Sequence, residues 1–188
     1  MLSLIQFLSA IQPLPEGAQQ YLYRNLKQKR LRSADTWLKQ GQVCFNVAFI
    51  EEGLMKSVYT KNDRTYINWF MKENDVMIAV RSFFEQIPSK EAIVAVEPTF
   101  LYYINFESYK YLNVHFPEFQ LITTSLMALY YEKCQDRTEM LRLYRQERFA
   151  EFMKSEPELS LRISGRDLAA YLGMTEEWLS RLRSAQWA

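Results

Sequence analysis

The pattern of apolar and polar positions changes near residue 115. Upstream, short runs alternate with a period of two, as in strands that bury one face; downstream, apolar residues recur every three or four positions, as on a helix. Phe45, Val47 and Phe49 alternate with Asn46 and Ala48, and residues 54–59 read as the next strand after a Glu51-Glu52-Gly53 turn. A polar turn at Lys61-Asn62-Asp63-Arg64 leads into a strand in which Ile67, Trp69 and Met71 are expected on one face and Tyr66, Asn68 and Phe70 on the other. Residues 92–96 and 100–104 are two more strands, separated by Glu97-Pro98-Thr99. Short strands divided by turns predict a β-roll or sandwich. Two helical stretches interrupt them. Residues 16–26 carry Ala18, Tyr21, Leu22 and Leu26 at helical spacing behind Pro15, and residues 77–85 put Ile78, Ser82 and Phe83 on one face. A short helix inside a β domain often closes a ligand pocket.

From Pro117 the chain reads as helix. Phe119, Ile122, Leu126 and Leu129 form one stripe, and Leu121, Ser125, Ala128 and Glu132 another. Spacing leaves two roles open: one stripe packs on the β domain while the other pairs with a second copy, or the helix packs only within its own subunit. A further helical run covers residues 141–153 and stops at Glu156-Pro157-Glu158. There is no internal repeat and no low-complexity tract.

Residues 163–183 read as helix, tight turn, helix. Ser164 is placed to cap the first helix, with Asp167 three residues on as a variant of the capping box. Leu168 and Leu172 give that helix an apolar face, and Ala169 is small enough for close crossing. Gly173 stands where the helix must end in a left-handed turn. Thr175 caps the second helix, and Met174 and Leu179 stand at the two ends of a hydrophobic staple. Those inward positions leave Glu176, Glu177, Ser180, Arg181 and Arg183 outward near the start of the second helix, the end that meets base edges in a helix-turn-helix. Arg181 can donate two hydrogen bonds to guanine, Glu177 can accept from cytosine, and Thr175 and Ser180 can hold phosphate oxygens. An ordinary αα-corner accounts for the same pattern.

Composition narrows the chemistry. The 188 residues carry a net charge of +1, so any DNA affinity must come from a local surface. From Arg137 onward nine Lys/Arg face eight Asp/Glu, so that surface is barely basic. The two cysteines, Cys44 and Cys134, are far apart and His115 is the only histidine, which excludes a zinc site of Cys/His spacing and a four-cysteine iron–sulfur cluster. Both cysteines are expected as reduced, buried thiols. His115, before Phe116-Pro117, is expected as a loop or cap residue rather than a haem ligand. The first residues lack a basic region ahead of their apolar positions and meet Pro13 and Pro15, too short for a signal peptide or span; a cytoplasmic protein without membrane contact is expected.

Residues 49–59 resemble the strand–Gly–strand signature of cyclic-nucleotide-binding β-rolls, and Gly41-Gln42 resembles the turn before it. Phe116-Pro117-Glu118-Phe119 resembles the opening of the dimer helix of the catabolite-activator/FNR (Crp/Fnr) family. Residues 168–183, with Leu179-Ser180-Arg181, resemble that family's helix-turn-helix. The similarity covers nearly the whole chain and looks closest to the short regulators of Bacteroidetes-type bacteria. The resemblance implies an α+β fold: an N-terminal double-stranded β-roll (a cyclic-nucleotide-binding-like jelly roll) over 1–115, a dimerisation helix over 116–137 and a helix-turn-helix domain over 138–188. It implies a homodimer on double-stranded DNA, with no cofactor and either an unknown small-molecule effector or none.

Nucleotide-binding members of the family carry Gly-Glu early and Arg-Ser or Arg-Thr late in a phosphate cassette. Here Asn74-Asp75 takes the early position and Ser89-Lys90 the late one, with Arg81 the other local cation. Asp75 has a shorter reach than Glu, and Lys90 lacks the bidentate fork of Arg. The effector pocket is thus expected at Asp75, Arg81, Ser89 and Lys90, without the usual response to cyclic AMP. The chain closes at Ala188, five residues after Arg183, leaving no room for a wing after the second helix. Against the regulator stands an orphan β-roll binding module with a structural helical tail, supported by the weak basic charge and Glu176-Glu177. An enzyme on a cupin-like barrel would need more histidines for its metal than the one present.

Overall fold

The computed structural model describes residues 2–62 and 64–186. Asp63 of the polar turn and the close of the chain at Ala188 lie outside the described residues. In chain order, helices α1 (Leu2–Ile11) and α2 (Glu16–Asn25) precede strands β1 (Lys27–Leu31), β2 (Thr36–Leu38), β3 (Asn46–Glu52), β4 (Met55–Lys61), β5 (Arg64–Met71) and β6 (Val76–Met77). Helix α3 (Val80–Glu85), strands β7 (Ala92–Ala95) and β8 (Thr99–Asn105), and helix α4 (Phe106–His115) follow. The helical part comprises α5 (Pro117–Arg142), α6 (Arg145–Ser155), α7 (Pro157–Arg162), α8 (Gly165–Tyr171) and α9 (Glu176–Gln186). Two four-stranded antiparallel sheets, β1-β8-β3-β6 and β2-β7-β4-β5, make the roll.

Three apolar cores hold this together. Between the sheets, Ile50, Met55, Met77, Phe83, Ile93 and Leu101 are almost wholly buried. On the outer face of the first sheet, Phe49 and Tyr102 pack against Leu8, Leu22, Leu112 and Ile122 from α1, α2, α4 and α5. The third core joins the parts: Leu54, Ile67 and Phe70 of the roll meet Phe152, Leu168, Leu172 and Leu179 of the helical part.

The strands stand where alternation places them, but two differ in their faces: Phe45 lies before β3 and is 57% exposed while Ala48 is buried on the face opposite Phe49, and β5 carries a bulge. Ser57 pairs with Trp69 but Val58 with Ile67, so Asn68 is an extra residue in the ladder. This bulge reverses the alternation. Ile67 and Phe70 face the helical part, while Trp69 and Met71 face the inside of the roll, so Ile67 does not share a face with them. Three strands (β1, β2 and β6) and three helices (α1, α4 and α7) escape the periodicity. In β1, Lys27-Gln28-Lys29-Arg30 is exposed and only Leu31 buried, as suits a charged edge strand, and β2 and β6 are very short. Helix α1 buries only Leu4, Ile5 and Leu8.

Helix α5 buries Phe119, Ile122 and Leu126, but Leu129 is exposed. The inward stripe passes instead to Tyr130, whose hydroxyl accepts from the Val76 N–H at 2.7 Å and lies 3.1 Å from Asp75 Oδ1. The helical run expected over residues 141–153 is broken at Leu143-Tyr144. Arg148 fastens that break by donating to the carbonyls of Leu141 and Leu143 at 2.6 and 2.9 Å, and it also donates to Leu172 O at the end of α8. A cation there meets the negative ends of two helices. Cys44 is buried and burial pushes its thiol up, but Cys134 is exposed on α5, contrary to expectation. His115 ends α4, stacked on Tyr111 with ring centres 3.9 Å apart. Among the described residues, no helix is long and apolar enough to cross a membrane, and no cluster of acidic, histidine or cysteine side chains is arranged to hold a metal ion.

Candidate nucleic-acid interface and effector pocket

The helix-turn-helix is built from local signals. The Ser164 side chain accepts from the Asp167 N–H at 3.0 Å, Gly173 takes φ +63°, and Thr175 Oγ1 accepts from the Trp178 N–H at 3.3 Å. The Asp167 carboxylate does not complete the capping box; it pairs with Lys56 of β4 at 2.7 Å. Leu168, Ala169, Leu172 and Leu179 are buried, and Met174 packs beside them. Thr175, Glu176, Glu177, Ser180 and Arg181 are all exposed. Arg183 is half-buried and folds back toward Gly165 at the start of α8.

Two residues of this surface are not singled out by spacing. Trp178, in the first turn of α9, is 36% exposed, and the guanidinium groups of Arg181 and Arg145 lie 5.7 and 5.4 Å from its ring centre. Arg145 comes from the start of α6, more than thirty residues away in sequence. Only packing brings it here. The result is a cationic rim around an aromatic side chain on the helix that carries Glu176 and Glu177.

The helical part is held to the roll by ion pairs as well as by the shared core. Arg162 of α7 reaches Glu73 with two bonds of 2.8 Å and also pairs with Glu97. Lys72 pairs with Glu156 at 2.6 Å. Glu73 also accepts from the Gly53 N–H at 2.8 Å. The Arg162 guanidinium holds the Glu73 carboxyl well below the usual glutamate range, at about 2. A carboxyl lowered in the folded protein adds stability above its unfolded pKa and loses it as pH falls toward the folded value. Acid should therefore cost wild type about 1–2 kcal/mol between roughly pH 4.5 and 2 after allowance for solvent screening, a loss that Glu73→Gln should lack. Melting curves at stepped pH check this; equal acid slopes for both proteins would refute it.

Of the four residues expected in the effector pocket, the structure brings three together. Arg81, Ser89 and Lys90 line a cavity of about 170 Å3 with Tyr59, Asn68 and Glu91. Arg81 pairs with Glu85 at 3.1 Å on the surface. Ser89 is buried; its hydroxyl donates to Glu91 O at 2.8 Å and accepts from the Glu91 N–H at 3.1 Å. Lys90 is exposed. The Glu91 carboxylate accepts from Ser57 and from Asn68 Nδ2 at 3.3 Å, which puts negative charge in this cavity. Asp75 stands apart from it. It accepts from the Lys72 N–H at 3.0 Å and pairs with Lys133 of α5 at 3.1 Å.

The sequence matches no family model and no curated protein. Solved structures do match. FixK2 from Bradyrhizobium japonicum superposes with a TM-score of 0.76 at 20% identity, covering 85% of this chain and 83% of that one. A protein placed in the Crp/Fnr family of transcriptional regulators, from Eubacterium rectale, gives 0.74 at 19% identity, with 92% and 84% covered. The c-di-GMP-responsive global regulator CLP from Xanthomonas campestris gives 0.72 at 14% identity, with 92% of both chains covered. The chain thus has the fold of Crp/Fnr-type regulators: a β-roll, a long helix and a C-terminal helical domain that carries a helix-turn-helix.

Proposed function

We propose that the protein is a cytoplasmic, DNA-binding transcription regulator that acts as a homodimer and does not respond to cyclic AMP. The observation that carries this is the outward display of the start of α9: Thr175, Glu176, Glu177, Ser180 and Arg181 are exposed while Leu179 is buried beneath them. Arg181 is placed to read guanine and Glu177 to accept from cytosine, with Thr175 and Ser180 on phosphates. Arg183, folded toward α8, takes a phosphate at the edge of the contact. Leu121, Met127 and Tyr131 of α5 are more than half exposed, and a second copy covering them supports the dimer. Two α9 helices then enter successive major grooves of a two-fold site. Glu91 beside Lys90 supports the lack of a cyclic-nucleotide response, because a carboxylate there repels a cyclic phosphate. The function is binding, not catalysis.

Fluorescence anisotropy on the chain's own upstream DNA, across a salt series, tests this. Wild type should bind with a steep salt slope, and Arg181→Ala should lose about 1–3 kcal/mol of discrimination between matched and altered sites. Absence of binding to that DNA and to random duplex at low salt would select the orphan binding module instead. Calorimetry with cyclic AMP should show no binding at roughly micromolar concentration; saturable heat there would overturn that part alone.

A further inference from the structure

Arg145 and Arg181 approach one aromatic ring from different elements. Arg145 opens α6 and Arg181 stands in the second turn of α9, with their guanidinium groups 5.4 and 5.7 Å from the centre of the Trp178 ring. Both arginines are exposed. Neither takes part in an ion pair among the described residues, although acidic side chains stand close by in sequence. The Glu147 carboxylate turns back to accept from the Tyr144 N–H at 3.2 Å. Glu177, one turn before Arg181, is exposed and does not pair with it. Guanidinium groups that hold no carboxylate are free to neutralise a phosphate.

The place of the ring on α9 fixes where such phosphates would stand. Leu179 points into the core, and Glu177 and Arg181 point outward. At about 3.6 residues per turn, Trp178 falls roughly 100° round the helix from Leu179 and roughly 60° from Arg181. It therefore occupies a flank of α9, and that flank is the one Arg145 of α6 reaches. When the start of a helix lies in the major groove, its outward face meets base edges and its flanks meet the sugar–phosphate backbones. The flank that bears Trp178 then runs along one strand, with Arg181 on the base side of the ring and Arg145 reaching it from the neighbouring helix.

We propose that Arg145 is a second anchor on DNA, outside the helix-turn-helix. Its guanidinium takes a backbone phosphate beside the base step read by Arg181, and Trp178 is the positioning residue that holds the two cations on either side of one ring. The arrangement couples affinity to register. The phosphate contact carries no sequence information of its own, but its fixed place relative to Arg181 sets which bases lie under the reader. It also adds positive charge where Glu176 and Glu177 oppose the approach of phosphates. The inference rests on the regulator function proposed above and goes beyond it, because nothing in that function calls for a contact from α6.

The test compares wild type with Arg145→Gln on duplex from the chain's own upstream DNA. Anisotropy is read across a salt series and with a neutral methylphosphonate placed at each backbone position in turn. Arg145 is exposed, so the variant should melt at the wild-type temperature. It should bind matched and altered sites more weakly by the same factor, at least roughly tenfold at ~0.1 M salt. Its salt slope should be smaller by about two, one phosphate from each subunit of the dimer. One methylphosphonate position in each half-site should weaken wild type and leave Arg145→Gln unchanged. Trp178→Ala should flatten the slope in the same way, reduce the discrimination that Arg181 supplies, and add no further loss of slope when combined with Arg145→Gln. An Arg145→Gln protein with the wild-type slope and the wild-type methylphosphonate pattern would overturn this contact and leave the regulator function standing. Weaker binding with both of those unchanged would overturn it too. Wild type with no affinity for that DNA or for random duplex at low salt would remove the regulator function and this contact together.

Discussion

Gly53→Ala is expected to destabilise the protein by at least about 3 kcal/mol, a large share of the roughly 5–15 kcal/mol by which folded proteins are typically stable. Gly53 has φ +104°, a backbone conformation that side chains with a Cβ rarely adopt. A methyl group there would stand 2.5 Å from Thr99 Oγ1, 2.6 Å from Pro98 O and 2.7 Å from Thr99 Cα. Rotating Thr99 relieves only the first of these, since the other two are backbone atoms. Any shift of the chain also disturbs Leu54, which is fully buried, and the Gly53 N–H bond to Glu73 that ties this turn to Arg162. Gly41→Ala is the internal control. Gly41 has φ +87° but open space around it, so its cost should be only the backbone term of about 1 kcal/mol. Urea unfolding followed by circular dichroism checks both. A Gly53→Ala protein within about 1 kcal/mol of wild type would show that the turn can relax.

Phe152→Ala is expected to cost about 3–5 kcal/mol, the range for removing a buried aromatic ring. Phe152 is 1% exposed, with its ring edge-on to Tyr171 at 5.8 Å, in the core shared by Leu54, Ile67 and Phe70 of the roll and Leu168 of α8. Because that core belongs to both parts, wild type should melt in one transition, not separately as roll and helical domain. The variant should lower the midpoint of that transition, or split off an earlier loss of helix. Phe84→Ala, at a ring already 40% exposed, should cost no more than about 1 kcal/mol. Calorimetric scans of the three proteins read this directly. Two well-separated melts in wild type would mean the shared core adds little.

The parts of this protein legible in the sequence are those encoded between near neighbours. Alternation marks the strands around Phe49, Val58 and Leu101, and 3.6-residue spacing marks α5. Ser164, Gly173 and Thr175 mark the helix-turn-helix because capping and a positive φ act within a few residues of chain. The family resemblance supplied the order of the domains. Even inside these elements, periodicity fails where the chain departs from regular geometry. The bulge at Asn68 reverses the faces of β5, and the charged edge strand β1 has almost no apolar face to show.

Contacts between distant elements were decided only by the tertiary structure. Asp75 looked like a cassette residue by position, but it pairs with Lys133 on α5. Trp178 is flanked by Arg145 only because α6 and α9 pack together. Arg148 closes two helix ends that lie far apart in sequence. No local pattern encodes these pairings, because they depend on how preformed elements dock. Docking is set by the shared core of Leu54, Phe70, Phe152 and Leu168 and by the reach of Arg162 to Glu73, and both take shape only when the roll and the helical domain come together.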